Sequence, residues 1–219
     1  MDAGMGPPPV TGAARRDSTA SILAAAERIF SRRGFEGARM ADIAAEAGLP
    51  KANLHYYFGT KDRLYRAVLE DIIRQWLDTA AHWIVPERAP AEALAGYVRA
   101  KLADARIRPG ASRIFAGEVL RGAPLLMPFL VDELRRRVAA MAAVIEGWAA
   151  RGLMDGVAPA HLFFCIWAMT QTYADFDVQV RAVLGPEAGE DSVFAAAEAT
   201  VTRLVLRGCG VRDSVTEMS

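Results

Sequence analysis

The short stretch Lys51–Phe58, KANLHYYF, brings together side chains that can contact DNA. A lysine can neutralise a phosphate, and an asparagine can pair with an adenine edge or a phosphate. Histidine and tyrosine can donate to phosphate oxygens or pack against a thymine methyl group. Leu54 and Phe58 can reach a core from the same helix. The polar side chains of this helix largely cannot reach that core, namely those of Lys51, Asn53, His55 and Tyr56. The stretch therefore predicts a helix with one buried side and one side that faces DNA.

Two short helices and a turn would position these side chains. Apolar residues at helical spacing predict a first helix that ends at Gly48, which can supply the positive φ of a helix terminus. Pro50 lies at or next to the first position of the second helix, where its missing N–H costs nothing. Gly59 ends that helix, and Thr60 can cap a third helix that opens at Lys61. This is the helix-turn-helix pattern, in which the second helix enters the major groove. From spacing alone, an ordinary helical hairpin with a solvated polar face is equally compatible.

The same stretch resembles the N-terminal DNA-binding domain of the TetR family of transcriptional regulators. The resemblance rests on Ile43-Ala44, Ala47-Gly48-Leu49, Leu54, Tyr56-Tyr57-Phe58, Lys61 and Leu64. Family members usually place Ser or Thr where this chain has Pro50, so the usual cap of the recognition helix is absent. The resemblance implies that this helix faces DNA and that Lys61 grips the DNA backbone. With Arg39, one of the basic residues in the first third of the chain, the DNA-binding set is Arg39, Lys51, Ala52, Asn53, His55, Tyr56 and Lys61.

Composition and helical periodicity predict an all-α protein. Of the 219 residues, 53% are hydrophobic and 24% are charged, as in a well-packed globular chain. The formal net charge is zero, so a DNA-binding protein of this composition must concentrate positive charge on one face. We expect a flexible N-terminal arm at 1–16 and a helix-turn-helix domain at 17–77. A helical ligand-binding and dimerisation domain at 78–207 and a tail at 208–219 should follow.

The predicted helices begin with one from Asp17 or Ser18 to Gly34. A long helix from Lys61 towards Trp83 should join the two domains. Further helices are predicted over 91–107, 112–121, 124–150, 158–184 and 191–206. The last two carry more apolar faces than one chain can bury, which indicates a homodimer built on a four-helix bundle. A two-fold dimer would place two recognition helices about 34 Å apart in successive major grooves of double-stranded operator DNA.

Polar residues inside the apolar helices of the second domain indicate a ligand pocket. Gln171 lies one helical turn after Trp167, so both side chains point the same way. A buried amide left unpaired costs about 1 to 3 kcal/mol. The alternative is that Gln171 and Asp175 pair with neighbouring helices or across a dimer. We favour a pocket, because a DNA-binding domain joined to a helical body needs an effector to shift it. The predicted pocket set is Trp76, Lys101, Arg113, Glu118, Trp167, Gln171 and Asp175.

The second domain resembles the branch of the TetR family that regulates pyrimidine utilisation. The segments that carry the resemblance are 111–115, 118–120, 122–127, 166–176 and 178–180. The resemblance implies a regulator whose effector is a pyrimidine base such as uracil or thymine. We expect a repressor, and our hypothesis is that the ligand lowers operator affinity by shifting the dimer towards a spacing of the DNA-binding domains that no longer fits the operator. A flat imide offers acceptor, donor and acceptor along one edge, and the Gln171 amide can match two of these. The alternative is an efflux-type repressor that senses larger apolar compounds. It predicts a wide, mostly apolar pocket, whereas a pyrimidine predicts a small pocket in contact with Gln171.

No motif in the sequence indicates an enzyme, a cofactor or a metal. There is no Gly-rich phosphate loop, nucleophile elbow or paired set of metal ligands, and His55, His82 and His161 are dispersed. Cys165 and Cys209 are far apart, which fits neither a disulfide framework nor a metal motif. The N-terminus lacks the apolar block of a signal peptide, and the longest apolar run is far short of the roughly 20 residues that span a bilayer. We expect a cytoplasmic protein without membrane contact. A helical adaptor that binds no DNA is the distant alternative.

Overall fold

A computed structural model of the chain describes residues 12–186 and 190–212, with side chains from residue 18 onward. It is 82% helical, and no strand occurs in the described residues, so the predicted all-α fold is confirmed. A π-helical segment spans Leu130–Leu134. The helices are α1 (Gly12–Gly37), α2 (Met40–Glu46), α3 (Lys51–Phe58), α4 (Lys61–Trp83), α5 (Pro90–Ile107), α6 (Pro109–Leu120), α7 (Met127–Phe129), α8 (Arg135–Ala150), α9 (Pro159–Asp175), α10 (Asp177–Leu184) and α11 (Asp191–Gly208).

The chain divides into two compact units between Val68 and Leu69, inside α4. We call the first unit the head and the second the body. The boundary that we expected at residue 77 lies in the same helix. α4 has 23 residues and is therefore about 34 Å long. Among the helices described, none is both long and apolar enough to cross a bilayer.

The head is built on apolar side chains from each of its helices. Those at most 2% exposed include Ile22, Phe30, Ile43, Leu54 and Leu64. Each such burial stabilises the fold by about 1.5 to 3 kcal/mol. Leu54 is the one buried residue of α3. Its burial therefore sets which side of α3 faces the core and which side faces solvent.

Two glycines with positive φ shape the turns on either side of α3. Gly48, at φ 64°, follows α2, and Gly59, at φ 72°, follows α3. Other residues adopt this conformation only at a cost. Thr60 Oγ1 accepts the backbone N–H of Arg63 at 3.3 Å, so the predicted cap of α4 is present. The predicted helix-turn-helix is confirmed, with the second helix at its predicted bounds.

In the body, α5 packs against α6, α9 and α11, and α9 also packs against α6 and α8. The largest fully buried side chains of this unit include Trp148, Tyr97, Phe163, Leu94 and Leu126. The rings of Tyr97 and Phe163 meet edge to face, with their centroids 6.2 Å apart. This contact joins α5 to α9 at the centre of the body.

The start of α1 differs from the prediction. α1 begins at Gly12, ahead of Asp17 and Ser18, because the intervening alanines and arginines are good helix formers. Residues 12–16 of the expected flexible arm are therefore helical. Residues 1–11 of that arm and 213–219 of the expected tail lie outside the described residues. Gly34, with φ 67° and ψ 176°, interrupts α1 where the helix was predicted to end.

The helix predicted over 124–150 is wrong at its start. Gly122 at φ 87° and Ala123 at φ 54° turn the chain. The buried carboxylate of Glu118 accepts the backbone N–H of Leu125 at 2.8 Å and so holds this turn in place. α7 consequently begins only at Met127, and the π-helical segment precedes α8.

The single helix predicted over 158–184 is in fact two helices. Phe176, at φ −116° and ψ 35°, separates α9 from α10. Asp177 opens α10 and lies 3.4 Å from the Arg181 guanidinium and 3.5 Å from that of Arg113 on α6. These ion pairs favour a new helix start at Asp177. Helical periodicity could not predict this break, because it does not depend on contacts between helices.

Candidate functional site

α3 carries most of the predicted DNA-binding residues on its exposed side. Those exposed are Lys51, Ala52, His55 and Tyr56. Tyr56 is 74% exposed, although large aromatic side chains are usually at least partly buried. Asn53 is half-buried, and Arg39 is exposed at the start of α2. The structure therefore leaves these six residues available to a nucleic acid.

The imidazole of His55 is held by the turn that follows α3. Its Nδ1 lies 2.9 Å from the carbonyl oxygen of Gly59. Since a carbonyl can only accept, Nδ1 must carry the hydrogen. In a neutral ring, Nε2 is then an acceptor, and in a charged ring it is a second donor. The ring is thus oriented before any partner arrives.

Ion pairs between α1 and α2 use part of the positive charge of the head. Glu46 lies 2.6 Å from Arg28 and 3.2 Å from Arg32, and Asp42 pairs with Arg33. The hydrogen bond from Arg28 holds the pKa of Glu46 below its ordinary value. Such exposed pairs contribute little to stability. These pairs do not involve Arg39 or Lys51, so the charge of these two residues remains available for phosphates.

Lys61 is placed differently from the other predicted DNA-binding residues. Its Nζ donates to the carbonyl oxygens of Phe35 at 2.8 Å, Ala38 at 3.3 Å and Glu36 at 3.4 Å. The same atom lies 4.4 Å from the centroid of the Phe35 ring. In this arrangement the ammonium group could contact a phosphate only by giving up these interactions.

A small cavity lies in the body between α4, α5, α6, α9 and the π-helical segment. Its volume is about 40 Å³. Its lining comprises Ile73, Trp76, Leu77, Tyr97, Lys101, Phe115, Leu134, Trp167 and Gln171. Trp76 and Phe115 meet edge to face at 5.3 Å, and Trp167 Nε1 donates to the Tyr97 hydroxyl at 2.7 Å. The cavity is therefore aromatic on several sides.

Two polar side chains of this lining have no hydrogen bond to the described residues. The Lys101 ammonium is only 3% exposed and lies 4.1 Å from the centroid of the Trp76 ring. Burial lowers the pKa of Lys101 to about 8, although the charges of Asp104 and Asp175 act in the opposite direction. The Gln171 amide is half-buried. The cavity thus presents an ammonium and an amide that a ligand could satisfy.

Four of the seven predicted pocket residues line the cavity, namely Trp76, Lys101, Trp167 and Gln171. Three others do not. Arg113 is exposed and pairs with Asp177. Glu118 holds the turn after α6 and lies 3.1 Å from Arg121. Asp175 is half-buried beside Ser112, Lys101 and Arg113, and burial raises its pKa.

Sequence reasoning did not assign Ile73, Leu77, Tyr97, Phe115 and Leu134 to the lining. Tyr97 could have been found, because it lies one helical turn before Lys101 on α5. Ile73 and Leu77 flank Trp76 at helical spacing on α4 and could have been found in the same way. Helical spacing does not point to Leu134 in this way, because the π-helical segment changes the direction in which its side chain points.

α9 and α11 expose apolar side chains beside a groove. Phe164 is 54% exposed and Leu204 is 56% exposed. The groove between the two helices has a volume of about 290 Å³, and its lining includes Leu162, Cys165, Met169, Leu204 and Cys209. Exposed apolar surface on two neighbouring helices is typical of a protein interface.

Two protein-family models together match most of the chain. Residues 22–68 match the family model described as bacterial regulatory proteins of the tetR family. Residues 69–212 match the model described as the C-terminal region of YcdC-like proteins. The HTH-type transcriptional regulator RutR of Escherichia coli is 42% identical over 86% of this chain and 88% of its own length. The chain belongs to the TetR family of bacterial transcriptional regulators.

The chain is also similar to a more distant repressor and to a solved structure that has the same fold. The HTH-type transcriptional repressor NicS of Pseudomonas putida is 28% identical over 86% of this chain and 90% of its own length. A crystal structure of a bacterial regulatory protein in the tetR family from Rhodococcus has the same fold. Its TM-score is 0.69 at 20% identity, and the match covers 90% of this chain and 98% of that one.

The family fixes the general function of the chain. It is a DNA-binding transcriptional regulator and not an enzyme. TetR regulators bind operator DNA and small-molecule effectors and act as dimers. The exposed side of α3 is the candidate site for operator DNA, and the cavity of the body is the candidate site for an effector.

Proposed function

We propose that this regulator senses a small planar imide, such as uracil or thymine, in the aromatic cavity of the body, and that the ligand lowers its affinity for operator DNA. The observation that carries the proposal is the meeting of Lys101 and Gln171 within a small aromatic lining, where neither side chain has a hydrogen bond to the described residues. We place this activity in the bacterial cytoplasm, where operator DNA lies.

The polar groups of the cavity complement the edge of an imide. That edge presents a carbonyl oxygen, an N–H and a second carbonyl oxygen. Gln171 offers one acceptor and two N–H donors, and Lys101 offers three donors. Together the two side chains can present a donor, an acceptor and a second donor, which match the three groups of the imide edge. Indole and phenyl faces from Trp76, Phe115 and Trp167 can then stack on the flat ring of the ligand.

The volume of the cavity favours a small ligand over the larger apolar compounds of an efflux-type repressor. A volume of about 40 Å³ suits a few water molecules. Pockets for drug-sized ligands typically hold about 300 to 1,000 Å³. A pyrimidine would need modest movement of side chains, whereas a large apolar effector would need the body to open much further.

α4 offers a route by which the ligand could affect the DNA-binding unit. Ile73, Trp76 and Leu77 line the cavity from α4, and the first part of the same helix, Lys61–Val68, belongs to the head. A ligand that enlarges the cavity must favour a different position of these side chains. Linkage requires that such a ligand bind the DNA-free state more tightly than the DNA-bound state.

We assign the homodimer interface to the exposed apolar sides of α9 and α11. Phe164, Leu204 and the groove beside them would be buried against a second copy. The arrangement suits readout of a two-fold operator, because each recognition helix sees only a few base pairs.

A thermal shift experiment with the purified full-length protein tests the effector. Uracil, thymine and a panel of larger apolar compounds are compared at matched concentrations. Saturable stabilisation by a pyrimidine, together with weaker binding to an operator fragment, is expected. Stabilisation by a large apolar compound alone would contradict the proposal and favour the efflux-type alternative. A pyrimidine that stabilises the protein but leaves operator affinity unchanged would contradict the mechanism.

A further inference from the structure

A second concave surface of the body lies between α5 and α11, two helices that pack directly against each other. We call it the α5–α11 groove. Its volume is about 560 Å³, and it shares no residue with the aromatic cavity. Its lining is Ala95, Arg99, Ala195, Glu198, Ala199, Thr202, Arg203, Leu206 and Arg207. None of these residues belongs to the DNA-binding set or to the predicted pocket set, so the function proposed above leaves the groove without a role.

The α11 side of the groove has the spacing of a surface that packs against another helix. Ala195, Ala199, Thr202 and Leu206 follow one another by four, three and four residues. That spacing places them along one side of a helix, as in the a and d positions of a coiled coil. A different side of α11, which includes Val201, is buried in the body. α11 therefore presents a second packing side that the described residues do not cover.

The hydroxyl of Thr202 is buried and has no hydrogen bond to the described residues. A threonine inside a helix can donate to the carbonyl oxygen one turn earlier. Thr170 and Thr172 of α9 do so, to Ile166 and Ala168 respectively, at 2.8 Å in each case. The Thr202 hydroxyl does not make this bond, so its hydrogen-bonding capacity is left for a partner in the groove.

The groove is basic, although the chain as a whole has no net charge. Its lining contains three arginines and one glutamate. Arg99 lies 2.8 Å from Glu198, which neutralises one of the positive charges. Arg203 and Arg207 are exposed and pair with no acidic side chain among the described residues. They stand one helical turn apart, so their guanidinium groups can engage two carboxylates that are also one turn apart on a facing helix.

The groove stays open in the dimer that we propose. Successive residues of a helix are about 100° apart around its axis. Leu204, which we place in the dimer interface, is two residues from both Thr202 and Leu206. It therefore lies on nearly the opposite side of α11. A second copy bound at Leu204 leaves the α5–α11 groove accessible.

We propose that the α5–α11 groove docks an acidic amphipathic helix of a partner protein. Its acidic residues pair with Arg203 and Arg207, and its apolar side lies against Leu206 and the alanines. Small side chains let two helices approach to an axial distance of about 8 to 10 Å. The stretch of α11 from Ala195 to Arg207 is about 18 Å long, so the contact is small and suits a transient complex. A nucleic acid suits the groove less well, because alanine and leucine side chains offer no hydrogen bond to a phosphate.

Fluorescence anisotropy with the full-length protein and a labelled synthetic helix tests the proposal. The probe is a peptide of about five helical turns, with alanine and leucine along one side and glutamates on both flanks of that side. The control peptide carries lysines in place of the glutamates. We expect saturable binding of the acidic peptide that weakens as salt rises, and at least tenfold weaker binding of the basic peptide. Binding of neither peptide, or equal binding of both, would overturn the proposal.

Two substitutions locate the binding, each with a matched control at an exposed position of α8. Arg203→Glu should weaken binding of the acidic peptide about tenfold and strengthen that of the basic peptide, because an attraction becomes a repulsion. Arg135→Glu makes the same change of charge outside the groove and should alter neither affinity. Ala199→Gln fills the groove without a charge and should also weaken binding of the acidic peptide, whereas Ala140→Gln should not. Binding of the acidic peptide that survives both Arg203→Glu and Ala199→Gln would show that it binds elsewhere, and the proposal would be wrong.

Three other occupants of the groove give different results, and each result would overturn the proposal. Inorganic phosphate that displaces the acidic peptide better than sodium chloride at equal ionic strength would indicate a site for small anions. A peptide-free protein that sediments as a tetramer, and that Ala199→Gln splits into dimers, would show that the groove takes a further copy of the chain. Weaker operator binding by Arg203→Glu in a gel shift would assign this arginine to DNA.

Discussion

Replacement of Lys101 by methionine should stabilise the ligand-free protein and weaken its binding of a pyrimidine. Lys101 is 3% exposed, and burial lowers its pKa from 10.5 in the unfolded chain to about 8. A difference of this size corresponds to a penalty of about 3 kcal/mol for keeping the ammonium charged at neutral pH. The contact with the Trp76 ring offsets about 1 to 2 kcal/mol of it. Methionine has a similar shape and no charge, so a net gain of about 1 to 2 kcal/mol is expected.

The dependence of this effect on pH has a definite sign. Because the folded pKa of Lys101 is below the unfolded value, the unfolded chain binds more protons between about pH 8 and pH 10.5. The contribution of Lys101 to stability therefore rises as the pH increases through this window. The stability difference between Lys101→Met and the wild type should be largest near neutral pH and should shrink towards pH 10.5.

Denaturant unfolding of both proteins between pH 7 and about pH 10, at one fixed protomer concentration, measures the difference. Ligand affinity is measured on the same samples by calorimetry at neutral pH. Loss of a hydrogen bond from a charged donor should weaken uracil binding by about 1.5 to 3 kcal/mol, or roughly 10- to 150-fold. A Lys101→Met protein that is less stable than the wild type at neutral pH would refute the argument from burial. Unchanged uracil affinity would refute the assignment of Lys101 to the ligand.

Three further substitutions test the remaining assignments. Gln171→Ala should abolish the pyrimidine response in a thermal shift assay while operator binding persists; loss of both would indicate a structural role for the amide. Asn53→Ala should reduce the preference for the selected operator over a scrambled duplex by about 1 to 3 kcal/mol in a competition gel shift, and an unchanged preference would remove Asn53 from base readout. Leu204→Glu should shift the sedimentation of the protein from dimer towards monomer, because a charge cannot be buried cheaply in an apolar interface. A variant that sediments as the wild-type dimer would place the interface elsewhere.

Local features of the sequence were sufficient for most of the head. α3 has its predicted bounds, because the backbone preferences of Gly48 and Pro50 set its start and that of Gly59 sets its end. The buried Leu54 and the exposed Tyr56 follow from helical periodicity in the same way. The start of α1 could not be located by capping residues, since helix propensity extended the helix past them.

The hydrogen-bond partners of Lys61 could not be found from neighbouring residues. The family resemblance implies that this lysine grips the DNA backbone. The acceptors of its ammonium group lie more than twenty positions earlier in the chain, at the end of α1. Only the packing of α1 against α4 in the head brings them together.

The sequence by itself determined the helical class, the helix-turn-helix and the apolar surplus of α9 and α11, because these depend on neighbouring residues and on periodicity. The tertiary structure decided which polar residues share the cavity. Lys101 and Gln171 line the cavity, whereas Arg113 and Glu118 do not, although all four residues lie on mostly apolar helices. The physical reason is that a cavity forms where several helices cross. The angles at which the helices cross depend on core packing and on the π-helical segment. The sequence of a single helix does not reveal these angles.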